Sequence, residues 1–120
     1  MTRTALALCI SLSAPGIAFA VSKSSCPPDD TPAAQCFNIR GRLSYWNGAP
    51  SARIWPIGTK RILGVHNDDL PSDLATRMPT FESELWGEMT VCPITKARPG
   101  EMQMVCIASW HDLAAKERGR

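Results

Sequence analysis

The side chains in this sequence best suited to chemistry are arginines interleaved with tryptophans: Arg40, Arg42, Trp46, Arg53 and Trp55. A guanidinium stacks on an indole face and forks onto carboxylates or phosphates. The group is therefore a candidate surface for an acidic ligand or a protein partner. The competing account is internal. Arg40 would stack on Trp55, and the arginines would pair with Glu82, Glu84 and Glu88 of a neighbouring strand. The similar parity of the two segments favours that pairing.

Three other groups carry reactive residue types. His66-Asn67-Asp68-Asp69 could ligate a metal or orient a base. It lacks the spaced oxygen ligands and glycine of a calcium loop, and such residues also make turns by bonding their own backbone. Ser109, His111 and Asp112 contain the letters of a catalytic triad, but strand neighbours point to opposite faces, and the chain has no G-x-S-x-G elbow. Met89, Met102 and Met104 could offer thioethers to copper(I); their place in apolar runs reads as core filling. The residues thus imply no catalytic group, no metal and no cofactor. The enzymatic alternative is a small hydrolase using His66 or His111.

Cysteine usage and the N-terminus bound the compartment. Arg3, the apolar run Ala5 to Leu12 and the small residues of Ala18-Phe19-Ala20 read as a signal peptide over residues 1–20. The run is too short to span a membrane. Cys9 follows the bulky Leu8 and Cys26 follows polar residues, so neither resembles a lipidation site. Cleavage after Ala20 removes Cys9 and leaves Cys26, Cys36, Cys92 and Cys106, an even set that predicts two disulfides in a periplasmic or extracellular protein. The chain has no CxxC, which sets aside zinc and thioredoxin-type chemistry. Three connectivities are open; Cys26–Cys36 with Cys92–Cys106 is favoured, because each pair flanks a proline-containing segment. Without Arg3 the mature chain holds 12 basic and 11 acidic side chains, a net of +1. That excludes bulk attraction to nucleic acid or anionic membranes, and the partner expected is a protein or an acidic ligand.

These residues need a scaffold, and a chain of 120 residues allows one domain. Residues 21–35, rich in proline, serine and aspartate, form an irregular arm; 36–112 form the β domain; 113–120 are a polar tail with weak helical tendency. From Phe37 to Val65 the chain reads strand, Asn47-Gly48 turn, strand, Gly58-Thr59 turn, strand. Phe37, Ile39, Leu43, Tyr45, Ala52 and Ile54 form the inner face. A two-residue loop would place Leu43 opposite Ala52, Arg40 opposite Trp55 and Arg42 opposite Arg53. Pro56 marks the second strand as an edge or a bulge. Ser72 to Met78 predicts two helical turns capped by Ser72 or Asp73. Thr80 to Cys92 is a fourth strand broken near Gly87, and Met102 to Trp110 is the last. Short strands with frequent turns predict an all-β antiparallel sandwich or open barrel.

Ile39-x-Gly41-x-Leu43, followed by Asn47-Gly48-x-Pro50 and an apolar second strand, resembles the opening of transthyretin-like (prealbumin-like) domains. The resemblance covers the first hairpin and implies a small antiparallel β-sandwich. A "TDxxGxF" strand start is absent, since Met78-Pro79-Thr80 precedes Phe81. The Tyr-Arg-Gly-Ser ending of the hydroxyisourate-hydrolysing branch is absent too, so the resemblance implies a fold and no activity. The expected function is an exported, disulfide-stapled binding or interaction module. A secreted inhibitor of a hostile enzyme is the alternative within binding, and an envelope assembly through an edge strand near Pro56 is a structural one.

Overall fold

The computed structural model describes Cys26 and residues 32–119. The signal peptide expected over residues 1–20 and most of the arm lie outside the described residues. Five strands follow in order: β1 (Phe37–Tyr45), β2 (Ala52–Pro56), β3 (Leu63–Val65), β4 (Ser83–Pro93) and β5 (Gln103–Glu117). A short helix, α1 (Ser72–Thr76), lies between β3 and β4. Its N-cap position is Pro71, with no side-chain cap.

The chain is all-β, but the strands do not form two facing antiparallel sheets. They close into one barrel in the order β1-β2-β3-β5-β4, with β4 returning to β1. Neighbours are antiparallel except β3 and β5, which run parallel. The physical reason lies in the partners of β1: it pairs with β2 along one side and with β4 along the other. A small sheet that closes in this way leaves no exposed edge. β2 is accordingly interior, between β1 and β3, and Pro56 ends it opposite Gly41. The edge strand expected at Pro56 does not exist.

Alternation fills the barrel as the sequence implies. Leu43, Ala52, Ile54, Leu63, Val65, Leu85, Met89, Val91, Val105 and Ile107 form the core, joined by Leu74 of α1 and by Met78. Phe37, Ile39 and Tyr45 pack against it, partly buried. Phe81 differs: it precedes β4 and is exposed.

The β1–β2 loop is longer than two residues. Trp46 N donates to Ser51 O at 2.8 Å, and the register sets Leu43 opposite Ile54 and Arg42 opposite Trp55. The shift is by two residues, so every side chain keeps its face. The expected Arg42–Arg53 repulsion disappears, because Arg53 now faces Ser44.

β5 continues to Glu117, so residues 113–117 are strand rather than helical tail. They find a partner in the first half of β4: Ser83 pairs with Glu117 and Trp86 with Ala114. Between Trp86 and Glu88 the register slips at a bulge. A Cβ on Gly87 would stand 2.6 Å from the Asp112 carbonyl oxygen, so only glycine allows the strands to meet there.

The disulfides join Cys26 to Cys106 and Cys36 to Cys92. This corrects the favoured pairing of Cys26–Cys36 and Cys92–Cys106. Cys92 and Cys106 do face each other across β4 and β5, yet each bonds elsewhere. Cys36 immediately precedes β1, and the pairing of Phe37 with Val91 brings it beside Cys92, with Cα atoms 4.1 Å apart. Cys26 itself lies against β5, 5.1 Å from Cys106 by Cα. Ala33 N adds a bond to Pro93 O.

Candidate functional site

The outward faces of β1, β2, β4 and β5 assemble the arginine–tryptophan group. Arg42 lies directly between Trp55 of β2 and Trp86 of β4 in the strand register. Its guanidinium carbon is 4.9 Å from the Trp55 ring and 5.6 Å from the Trp86 ring. The two indoles meet edge to face, 6.2 Å apart. Lys116 of β5 continues the row, its ammonium 4.9 Å over Trp86. Aromatic and cationic groups thus alternate across four strands.

A second layer adjoins the first. Arg118 stands 4.3 Å over Trp46 and 5.7 Å over Phe81. Glu84, only 7% exposed, ties the layers together. Its Oε2 lies 3.5 Å from Arg42 Nε and 3.8 Å from Arg118 Nε. Both are ion-pair distances without hydrogen-bond geometry. A buried carboxylate needs such neighbours, since unpaired it would be costly to desolvate. The indole nitrogens are also engaged: Trp46 Nε1 donates to Ser44 Oγ, Trp55 Nε1 to Thr59 O and Trp86 Nε1 to Glu84 Oε1.

The remaining arginines are occupied separately. Arg40 pairs with Glu88 at 3.5 Å on the surface, where such pairs contribute about 1 kcal/mol or less. Arg53 donates to the carbonyls of Pro50 and Asn47 and braces the β1–β2 loop. So Arg42, Trp46 and Trp55 belong to one cluster, whereas Arg40 and Arg53 have other tasks. Arg40 does not stack on Trp55; Arg42 does. Sequence reasoning left out Trp86, Lys116 and Arg118. Trp86 carried a signal, since it shares parity with Glu84 and Glu88. The two cations were lost because residues 113–120 read as a tail.

The other candidates are not gathered. Asp69 N donates to His66 O, and Ser51 Oγ donates to Asn67 Oδ1 at 2.8 Å, so this segment behaves as a turn. His111 faces Glu88 on β5, Ser109 faces Thr90, and Asp112 sits in the bulge with φ 54°. Met89 is in the core, while the sulfurs of Met102 and Met104 close over Gly64. Among the described residues, the group of metal-capable side chains within ligand distance is Cys26, Cys92 and Cys106, whose sulfurs lie within 4.8 Å of one another and are held in the disulfides. Among the described residues, no helix is long and apolar enough to cross a membrane. No family model, curated protein or solved structure matches the chain.

Proposed function

We propose that this chain is an exported binding module that holds its partner by stacking, through the surface built on Arg42, Trp46, Trp55 and Trp86. The observation that carries this reading is the placement of three partly exposed tryptophans outside the barrel, where core packing does not require them. Tryptophans at a protein surface commonly serve as contact area, with one apolar face and one polar edge. Glu84 and Glu88 offset two of the four positive charges of Arg40, Arg42, Lys116 and Arg118, so selection there draws on ring shape as well as on the remaining positive charge.

A closed five-stranded barrel with a helix between its third and fourth strands has the layout of OB-type barrels. These bind oligonucleotides and oligosaccharides on strand faces and loops. The net charge of +1 for the mature chain disfavours nucleic acid, which leaves a saccharide chain as the partner class preferred here. The resemblance to transthyretin-like domains rests on the β1–β2 hairpin alone and adds no ligand. Fold by itself does not assign function; the tryptophan surface is what supports this reading.

The test is a fluorescence titration of the mature protein with oligosaccharide fragments of bacterial envelope polymers. Binding should shift tryptophan emission, and Trp55→Ala or Trp86→Ala should weaken it by about tenfold or more, given about 1–3 kcal/mol for a stacked ring. Unchanged affinity in both variants would discard the proposal.

A further inference from the structure

A second surface, built from other residues, lies where the β2–β3 and β4–β5 loops approach each other. Two adjoining clefts open there, of about 400 and 440 Å³. Arg98 and Glu101 border both; Lys60 and Arg61 line the first and Lys96 the second. Such volumes suit a small ligand.

Charge is segregated at this place. The described residues include ten basic and nine acidic side chains. Four of the basic ones line these clefts against a single acid, Glu101. The ion pairs among the described residues join Arg40, Arg42 and Arg118 to Glu84 and Glu88, and none of them falls here. Lys60, Lys96 and Arg98 have no side-chain partner among the described residues. Four like charges brought together with one counter-charge repel, and an anion relieves that cost.

Arg61 differs from its neighbours because it is held. Its Nη2 donates to the side-chain oxygen of Gln103, and its guanidinium stacks 5.7 Å over Phe37. Gln103 is itself only 6% exposed, and its amide nitrogen donates to Thr95 O at 3.0 Å. A buried glutamine thus spans the base of the β4–β5 loop and fixes one arginine at the cleft. The backbone N–H of Arg61 donates to Thr59 Oγ1 at 3.2 Å, while its other guanidinium N–H groups have no acceptor among the described residues. A fixed planar fork loses less freedom on binding an oxyanion than a mobile side chain does.

We propose that this end of the barrel is an oxyanion site that takes a phosphate ester of a polyhydroxylated ligand, with Arg61 as its anchor. Arg98, Lys60 and Lys96 neutralise the phosphate, and Glu101 accepts from a hydroxyl of the same ligand. The ester can come from a soluble sugar phosphate or from the headgroup of an anionic lipid.

Calorimetry in phosphate-free chloride buffer tests the site on the mature, oxidised protein. Hexose 6-phosphate should bind, the unphosphorylated hexose should not, and affinity should fall as salt rises. Arg61→Ala and Arg98→Ala should each weaken binding by about tenfold or more, as losing a charge-assisted bond of about 1.5–3 kcal/mol implies. Arg98 lies on an exposed loop, so its variant keeps the test valid if Arg61→Ala fails to fold. Co-sedimentation with phosphatidylglycerol vesicles that depends on Arg98 assigns the phosphate to a lipid headgroup; binding of the soluble ester alone assigns it to a free metabolite. Absence of binding to both, or affinity unchanged in folded Arg98→Ala, overturns the proposal.

Discussion

Arg42 stacks between Trp55 and Trp86 because three strands place positions of one parity side by side, and a guanidinium with two indole neighbours is held by both. Glu84 then sits beneath two arginines and offsets one of their two charges within the protein. The same logic of burial acts on Tyr45, the sole tyrosine of the chain. Burial raises its phenol above the ordinary value near 10, because the phenolate is disfavoured away from water. The folded pKa exceeds the unfolded one, so this stabilising contribution is complete below the unfolded value and is lost as pH climbs through the folded one. Phenolate absorbance therefore reads Tyr45 alone. Its midpoint should lie above 10 in the folded protein and return to the ordinary value in denaturant. An identical midpoint in both states would contradict the burial.

At the scale of elements, two glycines set how closely strands approach. A Cβ on Gly64 of β3 would meet the sulfurs of Met104 and Met102 at 2.7 and 2.8 Å. Those are flexible thioethers, although Pro50 Cγ is also 2.8 Å away. A Cβ on Gly87 would meet the backbone oxygen of Asp112, which cannot swing aside. Overpacking costs about 1–3 kcal/mol, so Gly87→Ala should fall at or above the upper end and Gly64→Ala near the lower. Urea denaturation of the two variants gives the order; an equal or reversed loss would show that the bulge yields more readily than its backbone contact implies. The sequence marked Gly87 as a break in β4. It did not reveal the far side of that bulge, because residues 111–117 lack a strong alternating pattern and become strand through pairing with β4.

At the largest scale, the disulfides fix Cys26 and Cys36 to the β4–β5 pair of the barrel. Each spans a long stretch of chain, with sequence separations of 80 and 56. In the chain-entropy account either bridge alone restricts the unfolded state by about 4 kcal/mol, more than a short local loop does. The pairing has a direct readout. Cys26 and Cys36 lie on one tryptic peptide, between Lys23 and Arg40, while Cys92 and Cys106 fall on two others. Non-reducing digestion should release all three as one linked species. A Ser24–Arg40 peptide carrying its own internal bridge, beside a separate Cys92–Cys106 pair, would refute the connectivity.

The two faces were legible before any fold was known: alternation from Phe37 onward assigns Leu43, Ala52 and Ile54 to the core and the arginines to the outside in any register of the same parity. Local composition likewise marked the turn at His66 to Asp69, and the spacing of Cys26, Cys36, Cys92 and Cys106 marked them as the disulfide-forming set. Which strands are neighbours was not legible in the sequence and follows from the folded chain. The β1–β4 contact closes the barrel, carries Cys36 to Cys92 and brings Trp86 to Arg42. The same closure sets Arg61 of the β2–β3 loop over Phe37 of β1 and beside Gln103 of β5. Such contacts depend on chain closure between segments far apart in sequence, and a period of two residues carries no information about which partner a strand will find.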